Sequence, residues 1–488
     1  MSQQALETRA EALAQDLEAH AEPAAPARAS WIVPAIMGSS LMLLTLESTI
    51  MANALPSIAR AFAEEPLRLN MAMTMFLLAS AVCLPLSGWL ADKFGSVRLL
   101  TASMLLFAFS SIACGFSQSL TQLVIGRMMQ GASAAMLMPV GRLVLLRTTP
   151  RHELVGALSI LTIPPMIGPL FGPVLGGFIV TYFNWRWIFF INPPVAVICI
   201  VLMRAFVPNV KEDTVSPIDV RGVLLTGGGL ACLVFGFENL GRPMLPGTAI
   251  AALFAASVAC FALYWRHARG NPHAIIDLSI FRIRTFNTAI VGGAFSRIGI
   301  GAMPFLLAML LQIGFGMTAF AAGGLTFISG FGALFMKSLT PPILRRFGFR
   351  TVLVADTVLV AFSFLPFGFV NPGTSRWALM AILGIGSFFR SLQFTSMNAL
   401  TFADLEPAQM SRASATSSMV QQLVQSVGIG LAALLLHGLE LARHETHLTW
   451  QVVRPAMMVV GGVNLLSLFW FARLDPAAGE HLHRRPRG

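Results

Sequence analysis

Residues 31–57 read WIVPAIMGSSLMLLTLESTIMANALPS, and the only charged side chain among them is the carboxylate of Glu47. About 20 apolar residues in a helix are enough to cross the roughly 30 Å hydrocarbon core of a bilayer. The stretch therefore predicts a membrane span with an acid near its middle. A charge at that depth is costly unless it faces the protein interior or a water-filled cavity, and such charges mark ion and substrate pathways.

The composition of the whole chain is that of an integral membrane protein. Of the 488 residues, 56% are hydrophobic and 11% are charged, and the mean hydropathy is +0.73. A soluble domain has roughly 45–50% apolar and about 25% charged residues. The net charge of +11 comes from Lys and Arg scattered through short loops, which excludes a nucleic-acid-binding protein. The five cysteines lie in apolar runs without a CxxC pair, so we expect neither disulfides nor a zinc site.

The apolar runs predict fourteen membrane-spanning helices, which we number span 1 to span 14 in chain order. The first 30 residues are polar and lack the apolar core of a signal peptide. The predicted spans are 31–57, 69–91, 98–117, 121–146, 153–182, 186–207, 219–240, 247–265, 285–313, 318–340, 350–370, 376–402, 411–438 and 450–472.

A weak internal repeat divides these spans into two sets of six. The loop GWLADKFGSVRLL (88–100) follows span 2, and the similar loop PPILRRFGFRTVL (341–353) follows span 10. Internal repeats of this kind are typical of transporters, which hold substrate between the repeats near the membrane midplane. The predicted divisions are a polar cytoplasmic tail (1–30), an N-terminal half (31–207), an inserted helix pair with its linkers (208–284), a C-terminal half (285–473) and a basic cytoplasmic tail (474–488).

The loop charges predict the orientation of the chain. Lys and Arg are about three times as frequent in one alternating set of loops and tails as in the other; Arg345, Arg346 and Arg350 share one such loop. Cytoplasmic loops carry this excess in membrane proteins. We therefore predict that both termini are cytoplasmic.

Five ordered motifs resemble those of a known family. LESTIMANALP (46–56) is similar to its helix 1 motif and GWLADKFGSVR to its loop between helices 2 and 3. Its helix 4, helix 5 and helix 6 motifs resemble LVIGRMMQGASAAMLMPVGR (123–142), IGPLFGPVLGG (167–177) and NWRWIFFINPPVAV (184–197). Together they resemble the major facilitator superfamily, and within it the fourteen-helix drug:proton antiporters of the EmrB/QacA type. MPVGRL, FRIRTF and FTSMNALTFADL are similar to the HsrA and MdtD proteins of that group.

The resemblance implies both a fold and a function. The expected fold is all-α and membrane-integral, with two pseudo-symmetric six-helix halves and an inserted hairpin. The expected protein is no enzyme but a proton-coupled exporter of small amphipathic molecules in a bacterial inner membrane. It needs no cofactor, because the proton gradient drives transport. We expect a monomer; EmrB-type pumps can work with a periplasmic adaptor, but the sequence has no recognisable docking feature for one.

The candidate transport residues follow from the motifs and from polar positions within the spans. A buried carboxylate favours its neutral form and a nearby Arg favours the charged form, so Glu47 with Arg127 is the candidate proton-coupling pair. Arg297 roughly mirrors Glu47 in span 9 and is a second candidate partner. Glu47 itself departs from the family, which usually has Asp there. The predicted lining of the substrate cavity is Gln130, Met138, Arg297, Arg390, Gln393, Met397, Gln421 and Gln425.

Two motifs predict conformational roles. The resemblance implies that Asp92, Lys93 and Arg98 form a latch between transport states, although the two bases alone could serve only as a topology signal. Glycines spaced by four in span 5 share one helix face and permit close backbone approach, while the prolines remove backbone donors and bend the helix. The resemblance links this span 5 motif to export; its residues are Gly168, Pro169, Gly172, Pro173, Gly176 and Gly177.

Two alternatives remain open. One is a uniporter or importer of a metabolite or organic anion on the same fold. The other is a membrane enzyme or scaffold, which would need a cluster of acid, base or metal-ligating residues that the sequence lacks. We assign four Arg to the inside of spans, Arg127, Arg142, Arg297 and Arg390, but only three carboxylates, Glu47, Glu238 and Asp356. We expect structural or interfacial roles for the last two, and neutral, zwitterionic or anionic substrates at least as readily as cationic dyes.

Overall fold

A computed structural model describes residues 31–149, 157, 160–209, 211, 217–239, 245–269, 271, 274, 276, 278–405, 409–445, 447–476 and 478. These residues form helices and turns, and no β-strand occurs among them. The predicted tail 1–30, most of the tail 474–488 and the beginning of predicted span 5 lie outside the described residues. The prediction of an all-helical membrane protein is confirmed.

The first six spans match the predicted order, with several breaks inside them. Span 1 continues through Pro56 and ends five residues later than predicted, at Phe62. A short 3₁₀ turn, Pro164–Met166, leads into span 5. The helices are Ile32–Phe62 for span 1, Asn70–Cys83 and Leu86–Phe94 for span 2, Ser96–Phe116 for span 3, Leu120–Thr148 for span 4, Ile167–Tyr182 for span 5, and Trp187–Phe190 and Asn192–Phe206 for span 6.

The remaining helices include two with irregular geometry. Span 9 contains two π-turns, Thr288–Gly292 and Met309–Gly314. Spans 10 and 11 form one helical stretch, Ala319–Phe364, which is interrupted at Gly348. The other helices are Val220–Asn239 for span 7, Gly247–Arg269 for span 8, Arg284–Asn287 and Gly293–Ala308 for span 9, Arg376–Phe402 for span 12, Met410–Arg443 for span 13, and Trp450–Asn464 and Leu468–Phe471 for span 14.

The interruption at Gly348 accounts for the number of crossings. Thirteen helical stretches within the described residues are long and apolar enough to cross a membrane, and one of them has 50 residues. Fifty helical residues would extend about 75 Å, more than twice the thickness of the hydrocarbon core. Because Gly348 turns the chain, this stretch is long enough for two crossings, and the described helices are consistent with the predicted fourteen.

The two repeated loops share one backbone conformation. Gly95 follows Phe94 with φ 88° and ψ 144°, and Gly348 follows Phe347 with φ 73° and ψ 162°. Glycine adopts this region readily, whereas other residues are strained there. The sequence repeat therefore corresponds to two turns of the same shape, each between consecutive spans. This agreement supports the predicted division into two halves, which stays a prediction.

Four helices make the main contacts between the two sets of spans. Span 5 packs against span 1 on one side and span 10 on the other, while span 2 packs against span 13. Spans 7 and 8 pack together, and span 7 also contacts spans 2 and 13. Large apolar side chains such as Phe109, Leu224 and Val258 are more than 60% exposed on the outside of the bundle. Such surfaces are suited to contact with lipid.

Candidate transport site

Glu47 and Arg127 form an ion pair inside the bundle. Arg127 Nη1 lies 2.5 Å from Glu47 Oε1, and the side chains are 1% and 3% exposed, respectively. Span 1 supplies the carboxylate and span 4 supplies the guanidinium. Asn192, at the start of the main helix of span 6, donates from Nδ2 to the second carboxylate oxygen at 2.9 Å. The carboxylate of span 1 is therefore bound by side chains of two other spans, span 4 and span 6.

Further contacts fix the guanidinium of Arg127. It donates to Gln130 Oε1 at 2.7 Å and to the carbonyl of Ala72 at 3.3 Å, and it lies 4.3 Å from the centroid of the Phe76 ring. Buried charges are tolerated when they are paired and hydrogen-bonded in this way. Gln130 thus belongs to the ion-pair network, and with 0% exposure it does not line a cavity.

Asn192 is a functional candidate that the sequence interpretation missed. Besides binding Glu47, it donates to Ser111 Oγ at 2.9 Å, and its Oδ1 has no hydrogen-bond partner among the described residues. The signal was present in the INPP sequence (191–194), where an amide begins a helix in an otherwise apolar run. A buried amide there needs polar partners, which identifies it as part of the same network.

Arg297 does not contact Glu47. It is 0% exposed, and it donates to the carbonyl of Ala289 at 2.7 Å and to Asn398 Oδ1 at 3.4 Å. Ala289 belongs to the first π-turn of span 9, where the regular helical hydrogen bonds are replaced by wider ones. The hydrogen bonds of Arg297 are therefore made within its own half, its Nε has no partner among the described residues, and the side chain is not part of the wall of the central cavity.

A cavity of about 370 Å³ lies between the two sets of spans. Its wall comes from spans 1, 5, 9, 10, 12 and 13, and Arg390 and Gln425 are the two predicted cavity residues that line it. Gln393 and Met397 are at most 1% exposed; Gln393 instead donates to Thr357 Oγ1 at 2.9 Å. Met138 and Gln421 have accessible surface but are not part of this lining.

The span 5 motif holds spans 1 and 5 in close contact. A Cβ atom on Gly176 would lie 3.0 Å from Ile50 Cα, and Cβ atoms on Gly168 and Gly172 would collide with Thr45 and Thr49. On the other face, Gly177 packs against the backbone of Ala319 in span 10. Gly168, Gly172 and Gly176, which are spaced by four residues, therefore face span 1, as the spacing predicts.

Polar side chains of span 1 bind backbone carbonyls of span 5 at every turn. Thr45 donates to Pro165 O at 2.9 Å, and this carbonyl lacks its helical donor because residue 169 is proline. The Thr49 hydroxyl lies 3.1 Å from Gly168 O and shares its one hydrogen with two carbonyls of its own helix, while Asn53 donates to Pro173 O at 2.7 Å. The sequence interpretation missed this series, although its spacing of four is visible in the helix 1 motif.

Asn53 also connects the two halves at one end of the cavity. Gln312 of span 9 donates to Asn53 O at 2.8 Å and to Asn53 Oδ1 at 3.0 Å, and Asn53 donates to Ala319 O of span 10 at 3.3 Å. The loop charges predict that this end is outside, and we call it the outer end. A second cavity of about 620 Å³, lined by Arg60 and others, lies on its far side.

Replacing Gln312 with leucine is expected to open the outer end more often. The change removes two hydrogen bonds of about 0.6–2 kcal/mol each between the halves, which shifts a two-state equilibrium by roughly tenfold at the lower limit and by several hundredfold at the upper limit. A cysteine placed at Ala308, in the cavity wall, should react correspondingly faster with an impermeant maleimide added outside. Thr326→Val is the control, since that hydroxyl bonds only within its own helix, to Gly323 O. Equal labelling rates in the two variants would contradict the closure role.

The predicted latch residues have separate environments. Asp92 forms an ion pair with Arg147 of span 4 at 3.0 Å, with both side chains partly exposed. Lys93 lies 4.6 Å from the centroid of the Trp89 ring, and Arg98 is exposed. The structure therefore joins Asp92 to the end of span 4 that the loop charges predict to be cytoplasmic, and not to the two bases of its own loop.

Glu238 and Asp356 are the other two acids predicted to lie within spans. The side chain of Glu238 lies outside the described residues. Asp356 of span 11 is 1% exposed, and neither carboxylate oxygen has a hydrogen-bond partner among the described residues. No group of three potential metal ligands is found in the described part of the chain. All five cysteines are free.

These features define a class of protein: a multi-pass membrane transporter with a cavity between two sets of helices. A model of the family described as Major Facilitator Superfamily matches residues 37–429. The chain belongs to the major facilitator superfamily.

Curated relatives include proteins with the provisional name multidrug resistance protein MdtD. That of Escherichia coli O6:H1 (strain CFT073) is 36% identical over 459 residues, covering 93% of this chain and 97% of the relative. That of Serratia proteamaculans (strain 568) is 37% identical over 401 residues, covering 82% of this chain and 84% of the relative.

Solved structures share the fold at low sequence identity. A D-xylose-proton symporter matches with a TM-score of 0.65 and 14% identity, covering 92% of this chain and 98% of that one. A POT family peptide transporter in an auto-inhibited form matches with a TM-score of 0.66 and 15% identity, covering 91% and 97%. The predicted major facilitator fold is thereby confirmed.

Proposed function

We propose that this protein is a proton-coupled exporter of small amphipathic molecules that works by alternating access. The observation that carries the proposal is the buried pair of Glu47 and Arg127, held by Asn192 and Gln130. A carboxylate in such a network can exchange its ion pair for a proton when the surrounding helices move and water reaches it. The names of the MdtD relatives support drug efflux as the physiological role.

The proposed cycle assigns a task to each part of the site. Glu47 binds and releases the proton, and Arg127 stabilises its charged form. Substrate occupies the cavity beside Arg390 and Gln425, and the span 5 motif keeps spans 1 and 5 together during the exchange. The ion pair of Asp92 with Arg147 acts as the latch, since it lies at the cytoplasmic end and can break when span 4 moves relative to span 2.

The proposed setting is a bacterial inner membrane, with both termini cytoplasmic and one chain as the working unit. Transport draws on the proton gradient and uses no cofactor. A periplasmic adaptor has no support in the described residues. The alternative of a uniporter on the same fold would not require the buried acid network. A proton-coupled importer would require it, and the direction in which the probe moves against the proton gradient in proteoliposomes separates it from an exporter.

Reconstitution into proteoliposomes tests the proposed function. With an acidic lumen and the membrane potential clamped, an antiporter should accumulate a probe inside the vesicles against its concentration gradient. Ethidium, Nile red and dansylglycine serve as cationic, neutral and anionic probes. Accumulation of at least one probe, with proton efflux, is expected; a uniporter would equilibrate the probe without accumulating it, and that outcome would overturn the proposal.

A further inference from the structure

The wall of the central cavity has an unbalanced charge. Lys337 of span 10 and Arg390 of span 12 both line it, and no Asp or Glu is among the described residues of the wall. Glu47 and Asp356, which are buried acids within the described spans, do not line the cavity, and Glu47 is paired with Arg127. Substrate therefore meets two positive side chains and no negative one.

The two cations lie close together along their helices. Ser391 of span 12 donates to the carbonyl of Ala333 in span 10 at 2.7 Å, which fixes the two helices at this level. Arg390 is the neighbour of Ser391, and Lys337 follows Ala333 by one helical turn. Both bases therefore project from the same contact between spans 10 and 12.

Arg390 has an unused hydrogen-bonding group. Its Nη1 is buried and has no acceptor among the described residues, and its guanidinium lies 5.6 Å from the centroid of the Phe364 ring. A buried charged donor without an acceptor is costly. Nη1 itself lies beside Gly386 of the same helix, so an anionic ligand in the cavity would stabilise Arg390 by offsetting the charge of its guanidinium, together with that of Lys337.

The rest of the wall is mostly apolar. Met303, Leu307, Leu311, Leu334 and Phe394 face the same cavity. We propose that the cavity binds amphipathic organic anions, with Arg390 and Lys337 binding the carboxylate or sulfonate and these apolar side chains binding the hydrophobic part. This proposal names the substrate class of the transport proposed above and rests on it for its physiological meaning.

Three probes with one fluorophore and different charges test the proposal. Dansylglycine is anionic, dansylamide is neutral and dansylcadaverine is cationic. Their dissociation constants are measured by fluorescence with the full-length protein in nanodiscs of phosphatidylcholine, without any gradient. We expect dansylglycine to bind roughly tenfold or more tightly than dansylcadaverine, the usual range for one or two charge-assisted hydrogen bonds. Equal affinities for the three probes would overturn the proposal.

Variants locate the effect at the two bases. Arg390→Gln should weaken dansylglycine binding roughly tenfold and leave dansylamide binding nearly unchanged. Arg390→Lys should restore part of the affinity for dansylglycine. Arg390→Glu should reverse the charge preference. Arg376→Gln is the control, because this exposed arginine begins the same span and lies outside the cavity. If a substitution at Arg390 prevents folding, Lys337→Gln, at an exposed position, applies the same test. Unchanged dansylglycine affinity in Lys337→Gln and in every folded Arg390 variant would overturn the proposal.

The anion can come from two sources, and the outcomes separate them. Displacement of dansylglycine by a short-chain phosphatidylglycerol would assign the anion-binding site to a lipid headgroup; resistance to it would assign the site to a solute. Arg390-dependent binding of the anion without any accumulation in proteoliposomes would refute the proposed export and leave the anion site intact. Proton-driven accumulation of ethidium with no anion binding would refute the anion site and leave the proposed export intact.

Discussion

Replacing Glu47 with glutamine is expected to abolish accumulation of the transported probe against its gradient. If one proton is exchanged per solute, a gradient of two pH units supplies about 2.7 kcal/mol, enough for roughly 100-fold accumulation. Glutamine cannot carry a proton between the two sides, so the ratio should fall to about one. Because the amide oxygen can still accept from Arg127, we expect exchange of labelled for unlabelled probe to continue. Accumulation and exchange are measured in the same proteoliposomes.

Asp356→Asn is the matched control for this experiment. It also converts a buried acid into an amide, in the other half of the protein, but Asp356 has no partner among the described residues. Asparagine has nearly the shape of the acid, and the substitution removes no hydrogen bond that the described residues make. We therefore expect near-normal accumulation. Accumulation that survives Glu47→Gln, or that fails equally in both variants, would contradict the assignment of Glu47.

The geometry also gives a reason for glutamate where the family usually has aspartate. The carboxylate reaches Arg127 with one oxygen and Asn192 with the other, across two neighbouring spans. An aspartate on the same helix would be one methylene shorter and could not keep both contacts without a shift of span 1. That shift is opposed by the close packing of Gly168, Gly172 and Gly176 against the same helix.

The number of spans and the contact of Glu47 with Arg127 were predictable from the sequence. Long apolar runs define membrane spans without knowledge of tertiary structure, because the bilayer sets their length. Charges within spans face the protein interior and pair with one another, and Arg127 is a base in the same half as Glu47. The Phe-Gly pairs at 94–95 and 347–348 likewise predicted a repeated turn, which a positive φ at both glycines bears out.

The lining of the cavity was predictable only in part. Gln393, Met397 and Arg297 occupy polar stripes that suggested a cavity, but each helix of the bundle also has neighbours within its own half. Gln393 binds Thr357, and Arg297 binds a carbonyl in a π-turn that hydropathy does not reveal. Lys337 lies near the end of span 10 and was not among the predicted cavity residues. Its place in the cavity wall depends on the contact between spans 10 and 12.

Replacing Gly172 with leucine is expected to destroy the folded protein or its transport, and replacing it with alanine should cause a smaller loss. A Cβ atom at this position would collide with the hydroxyl of Thr49 and lie 2.9 Å from its Cβ. Span 5 would have to move away from span 1, which breaks the hydrogen bonds from Thr45, Thr49 and Asn53. The lost bonds and the strain together cost on the order of several kcal/mol, comparable with the whole stability of a typical protein.

Gly324→Leu separates this specific contact from the general effect of adding a side chain. A Cβ atom on Gly324 meets nothing within 4 Å, although this glycine also lies in a span that packs against span 5. Thermal unfolding of the purified proteins in detergent, followed by intrinsic tryptophan fluorescence, should show a large loss of stability for Gly172→Leu and little for Gly324→Leu. Equal unfolding temperatures for the two would mean that span 5 tolerates separation from span 1. The glycine series would then have to act on transport through its contact with span 10, where Gly177, Gly323 and Gly330 also bring backbones together.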